Sequence, residues 1–284
     1  MTSGSREFVI TVSCPDRIGI VHAVTGVLVG LDCTILDSQQ FSDEDSGRFF
    51  LRIHLAGPTT LDALRAGFAA VIDRFDMHFE CYDLAVKLRM MVMVSRHGHC
   101  LNDLLYRWRT GLLPVELPVV VSNHPDFAGL VGSYEVPFRQ VPVTPETKVG
   151  AEARLLEVID QYQIDLIVLA RYMQVLSDEL CQRMDGRIIN IHHSFLPSFK
   201  GARPYQQAHD RGVKLIGATA HYVTANLDEG PIIEQEVERV DHAHEPSDLA
   251  AVGRDVECLA LARAVRWHAE HRILLNGERT VVFR

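Results

Sequence analysis

The sequence is short of several things that would otherwise decide its class. None of its 284 residues falls in an apolar run of 18 or more, so no membrane-spanning helix is expected. There is no basic excess: 28 Lys and Arg against 37 Asp and Glu leave a net charge of -9. Nucleic acid is therefore not an expected partner, since that role calls for clustered cations. The six cysteines (Cys14, Cys33, Cys81, Cys100, Cys181, Cys258) never lie within four residues of one another. That leaves no CxxC pair and no zinc spacing, and reduced thiols are expected. No Walker loop G-x-x-x-x-G-K-[ST] and no hydrolase elbow G-x-S-x-G is present. The polar start Met1–Glu7 offers no charged and apolar leader, so a cytoplasmic location is expected.

What is present is ordinary globular material, 47% hydrophobic and 23% charged, enough for two cores. Phe8–Cys14 has the composition of a strand, and Pro15-Asp16-Arg17 turns the chain. Ile20, Ala23, Val24, Val27, Leu28 and Leu31 follow at helical spacing. Strands are expected over Thr34–Phe41 and Arg48–Leu55, a helix over Leu61–Phe75 and a strand over Met77–Asp83. The order βαββαβ is the ferredoxin-like split pattern. Beyond Lys87 the pattern changes. Met90–Val94, Val119–Ser122, Leu166–Ala170 and Ile188–Ile191 are apolar runs of the kind buried on both faces, and helical segments separate them. The expected fold is α/β: a ferredoxin-like domain over residues 6–84, then a doubly wound, mostly parallel-sheet domain over 85–284.

The densest polar stretch, NIHHSFLPSFKGARPY, follows the Ile188–Ile191 strand directly. Ligands in open α/β sheets bind beyond the carboxyl ends of strands. Asn190 and His192 are two residues apart, so they share one side of an extended chain. An amide donor and an imidazole on one side can polarise a carbonyl. Spacing leaves that reading and a turn of satisfied polar groups both open. His193 is expected to face away from His192 and to support the loop. Asp228 sits in the turn LDEGP; it serves either the turn or His192, and composition does not choose. His97/His99 and His242/His244 read as surface-loop residues, and no metal is expected. The first turn of the second domain, Ser95-Arg96-His97-Gly98-His99-Cys100, lacks the G-x-G-x-x-G dinucleotide pattern.

Asn190, His192 and Asp228, in the contexts NIHHSFLPSF and LDEGP, resemble the catalytic trio of the folate-dependent formyltransferase fold. The first domain, with the turn CPDRIGIV, resembles an ACT domain. The two together resemble the formyltetrahydrofolate deformylases over nearly the whole chain. The bulky first turn and His193 favour that family over the glycinamide ribonucleotide formyltransferases, whose Gly/Ser-rich turn holds a phosphate. The resemblance implies hydrolysis of 10-formyltetrahydrofolate to formate and tetrahydrofolate. It places that reaction in purine biosynthesis and in balancing the one-carbon folate pool. Formyl transfer to an amine acceptor is the alternative. It implies that Asn190 and His192 stabilise the oxyanion while Asp228 orients His192 and activates water. Arg171, Tyr172, Met173, Gln174, Val175, Leu176, His193, Ser194 and Gly201 are implied in binding folate, with Lys200 and Arg203 for its carboxylate tail. No permanently bound cofactor is implied. The ACT resemblance implies a small amino-acid effector near Asp16, Arg17, Ile18 and Gly19, and a homo-oligomer.

Overall fold

The structure is a computed structural model that describes Arg6–Leu196 and Pro204–Arg284. The chain divides into two units, one running to Lys87 and the other spanning Leu88–Glu270.

The first unit is β1 (Arg6–Pro15), α1 (Ile20–Gly30), β2 (Thr34–Asp43), β3 (Arg48–Gly57), α2 (Leu61–Phe75) and β4 (His78–Asp83). The strands form an antiparallel sheet in the order β2-β3-β1-β4. Alternation sets what each strand buries. Phe49, Leu51, Ile53 and Leu55 of β3 pack with Phe8, Ile10 and Val12 of β1 under Val24, Leu28, Leu64 and Phe68 of the two helices. Gly19 opens α1 at φ 96°, a left-handed conformation that suits glycine. Thr60 caps α2 by accepting from the Ala63 amide at 3.2 Å.

The second unit runs β5 (Leu88–Val94), α3 (His99–Arg109), β6 (Val115–Ser122), α4 (Ala128–Ser133), β7 (Phe138–Gln140), α5 (Lys148–Tyr162), β8 (Leu166–Leu169), α6 (Asp178–Arg183), β9 (Ile188–His192), α7 (Pro204–Asp210), β10 (Leu215–Tyr222), β11 (Ile232–Arg239) and α8 (Pro246–Ala269). Its sheet has the order β11-β10-β9-β8-β5-β6-β7. The strands β7, β6, β5, β8 and β9 are parallel, and β10 and β11 join antiparallel at one edge. Met90–Val94 and Leu166–Val168 are fully buried, as the unbroken apolar runs require. Among the described residues no helix is long and apolar enough to cross a membrane.

The chain closes with a hairpin, β12 (Ile273–Asn276) and β13 (Arg279–Val282). Here the division differs from the expected 85–284 domain: His271–Asn276 and Thr280–Arg284 group with the first unit. The reason lies in β3. Phe50 points to the face opposite the helices, where Leu274 and Phe283 bury it. Arg52, on the same side of β3, donates Nε to the His271 carbonyl at 3.1 Å.

Candidate active site

Asn190 and His192 stand at the carboxyl end of β9, and both line a cavity of about 270 Å³. Opposite them is the turn that carries Asp228. Its φ of 58° is left-handed, a conformation that Asp tolerates better than most residues. Two residues on, Gly230 makes that turn possible. A Cβ there would lie 1.8 Å from the Tyr222 carbonyl oxygen, so only glycine lets the turn close on β10. Asp228 Oδ2 comes to 3.4 Å from His192 Nδ1. Its other oxygen, Oδ1, lies 3.8 Å from His221 Nε2, which is beyond hydrogen-bond distance.

The side chains form a graded set of charges. The hydrogen bond from His192 holds the Asp228 carboxyl below its usual range, so it is ionised at neutral pH. Burial pushes the His221 imidazole down, and its Nδ1 bonds the Tyr222 carbonyl at 2.9 Å. A carbonyl only accepts, so the neutral ring carries its proton on Nδ1 and presents a lone pair at Nε2. That nitrogen takes a hydrogen bond of 3.2 Å from Asn190 Nδ2. His193 stacks on His192 with ring centroids 4.9 Å apart. Burial, followed by the Arg171 charge, pushes His193 down to about 4. Neutral His193 sets no like charge against His192. The arrangement can polarise a carbonyl oxygen at Asn190 and His192 and accept a proton at Asp228 Oδ1.

The residues Arg171 to Leu176 form one wall of the cavity, and the wall is pinned from behind at both ends. Ser95, at the end of β5, donates its amide to the Arg171 carbonyl at 3.2 Å. Its hydroxyl accepts from the Met173 amide at 2.9 Å and donates to Asn123 Oδ1 at 2.8 Å. At the far end Glu152 accepts from the Ser177 amide at 2.7 Å. The rim is apolar and open, with Met173, Val175 and Leu227 more than half exposed.

The structure thus brings together Asn190, His192, Asp228, His193 and the whole segment from Arg171 to Leu176. Ser194 is not among the residues lining the cavity; its carbonyl accepts from Thr219 Oγ1 at 2.9 Å. Gly201, Lys200 and Arg203 lie outside the described residues. Two expectations are corrected. His193 does not face away from His192, because β9 ends at His192 and strand alternation stops there. His99 is not a surface-loop residue: it opens α3, and its Nε2 lies 2.8 Å from Glu257 Oε2. Asp16, Arg17, Ile18 and Gly19 form an exposed turn in the first unit and are not among the residues that line this cavity. Sequence reasoning missed His221, Ser95, Asn123 and Glu152. His221 lies on β10, and its separation of 31 positions from Asn190 concealed their pairing.

Comparison with known proteins adds a family. Residues 88–265 match the formyl transferase family and residues 8–66 the ACT domain. The chain is 55% identical over 279 residues to a formyltetrahydrofolate deformylase of Corynebacterium sp. (strain P-1), covering 97% of this chain and 98% of that protein. The crystal structure of formyltetrahydrofolate deformylase from Burkholderia mallei superposes with a TM-score of 0.94 at 52% identity, covering 98% of this chain and 100% of that one. A glycinamide ribonucleotide transformylase from Symbiobacterium toebii shares less: TM-score 0.64, 32% identity, 70% of this chain and 95% of that one.

Proposed function

The chain belongs to the formyltetrahydrofolate deformylases, and from that premise we propose that Asn190, His192 and Asp228 carry its reaction. The reaction is hydrolysis of 10-formyltetrahydrofolate to formate and tetrahydrofolate. Transfer to an amine acceptor is not favoured, because full-length similarity runs to deformylases and the transformylase likeness stops at 70% of the chain.

The observation that carries the residue assignment is the convergence of one amide, one imidazole and one ionised carboxylate at the end of β9. Folate lies against the wall from Arg171 to Leu176, with its formyl group over Asn190 and His192. Water attack on the formyl carbon places negative charge on its oxygen. Asn190 Nδ2 has a second hydrogen for that oxygen, and the imidazolium of His192 donates another from Nε2. Asp228 Oδ2 holds His192 through Nδ1, while Oδ1 takes the proton from water. The C–N bond then breaks, and the folate nitrogen keeps the electron pair and is protonated. Loss of one oxyanion donor typically costs about 10²–10³ in rate.

The test is formate release from 10-formyltetrahydrofolate without added amine, beside Asp228→Asn and His192→Ala. Both variants are expected to lose turnover by about 10²–10³ while binding folate nearly as well. Equal loss of affinity with turnover intact would sink the assignment.

The ACT unit is the assembly and sensing part of this reading. Its edge strand β2 exposes Ile35, Leu36 and Phe41, which supports pairing with a second copy. The Asp16–Gly19 turn is the proposed contact for a small amino-acid effector. Light scattering of the purified chain, with amino acids added one at a time, tests both roles.

A further inference from the structure

The fold offers a second ligand position, and in this chain it is occupied by protein. Ligands of open α/β sheets enter where the strand order reverses, beyond the carboxyl ends of the two strands concerned. Here the chain passes from β5 to β6 on one side and returns to β8 on the other. The crevice therefore lies beyond Val94 and Leu169, next to the end of β9.

Side chains from four separate segments meet there. Glu257 of α8 is buried to 2% exposure. Its Oε2 lies 2.8 Å from His99 Nε2, at the start of α3, and 3.5 Å from Arg171 Nε, just behind β8. Tyr205 of α7 donates its hydroxyl to Glu257 Oε1 at 3.0 Å. Packing is close: a Cβ on Gly253, one turn before Glu257, would lie 2.0 Å from the Tyr205 hydroxyl. Burial alone would raise the Glu257 carboxyl, but the His99 hydrogen bond and the Arg171 charge hold it below its usual range. The ligand atoms of His99, Cys100 and Glu257 converge within 4.8 Å. A cation is nevertheless disfavoured there, because the carboxylate already faces a guanidinium. The network reaches the reacting centre through His193, which stacks on His192 and shares the cavity wall with Arg171.

We propose that the His99–Glu257–Arg171–Tyr205 network is a plug that fills the approach of a second substrate and leaves water as the only acceptor. This rests on the deformylase reading above. The trio's chemistry does not itself exclude an amine. Water forms an O–C bond to the formyl carbon; an amine would form an N–C bond instead. In both cases the bond to the folate nitrogen breaks, that nitrogen keeps the electron pair and gains a proton, and the acceptor loses one. Nothing is oxidised or reduced. The choice between the two acceptors must then come from space, and the space is taken by Tyr205 and His99.

The experiment opens the crevice and offers O-benzylhydroxylamine, a nucleophile that is neutral near pH 7 and whose ring matches the phenol removed. The wild type, the His99→Ala/Tyr205→Ala double variant, Tyr205→Phe and an enzyme-free control receive 10-formyltetrahydrofolate with this amine. Formate and the N-formyl product are quantified by mass spectrometry. The wild type and Tyr205→Phe, which keeps the ring, are expected to give formate alone. In the double variant N-formyl product is expected to exceed the enzyme-free control at least about tenfold, the scale of a changed pocket contact. Gly253→Ala, which displaces the Tyr205 ring without removing a charge, should shift the products the same way and serves if the double variant does not fold. N-formyl product from the wild type, or folded opened variants that give formate only, would overturn the plug. No formate from the wild type would instead overturn the deformylase reading.

Discussion

Asn190 gives a hydrogen bond from Nδ2 to His221 Nε2 across 3.2 Å, and the backbone carbonyl of Tyr222 fixes its direction. That carbonyl takes the Nδ1 proton of His221 at 2.9 Å, so Nε2 can only accept. The Asn190 amide is thereby locked with its nitrogen toward the site, not its oxygen. An inverted amide would present a lone pair to the developing oxyanion. His221 is thus a positioning residue.

Replacing His221 with Ala is expected to lower kcat about tenfold, less than the roughly 10²–10³ of losing a donor outright. KM for folate should stay nearly constant, because the wall from Arg171 to Leu176 is untouched. His221→Gln, whose amide oxygen can accept the same bond, should recover part of the loss. Steady-state kinetics of the two variants decide it. A rise in KM with kcat unchanged would assign His221 to the pocket and not to the amide.

The strands, the helices with strong periodicity and the trio were legible in the sequence because each leaves a local trace. Met90–Val94 shows as an unbroken apolar run, and Asn190 and His192 show as neighbours on one side of a strand. The short elements α4, α6, α7 and β7 gave too few turns for periodicity to register. The turn LDEGP admitted two readings, and the structure carries both: Gly230 makes the turn and Asp228 faces His192. Pairings between segments distant in sequence were invisible. Ser95 with Met173, and His99 with Glu257, join residues 78 and 158 positions apart. Asn276-Gly277 between two apolar runs marks the closing hairpin locally, but nothing local says that Leu274 and Phe283 cover Phe50.

Ser95→Ala is expected to loosen the folate wall from behind. The hydroxyl is buried and serves two partners, the Met173 amide and Asn123 Oδ1. Removing it leaves a donor and an acceptor without their bonds, at a cost of about 1–3 kcal/mol. Chemical denaturation should show that loss, and KM for 10-formyltetrahydrofolate should rise several-fold with kcat little changed. Unaltered KM with lower stability would mean that the wall holds its shape without Ser95.

His193 ties stability to pH in a direction that can be worked out. Its imidazole is pushed down to about 4 by burial and the Arg171 charge, against an ordinary value of about 6.5. Between those values the unfolded chain binds a proton that the native protein refuses. Stability is therefore full above pH 6.5 and declines as pH falls toward 4, by about 3 kcal/mol for this group at the bottom of the window. His97, His221 and His268 are also pushed down by burial and add to the same slope. The contribution of His193 is thus read as a difference between proteins. His193→Asn cannot titrate, and its unfolding free energy should fall less steeply over that range, as followed by urea denaturation at a series of pH values. Parallel slopes for the two proteins would mean that His193 is protonated beside His192 in the native state. The two stacked rings would then repel, and the reading of His192 as the charge-bearing partner of Asp228 would fail with it.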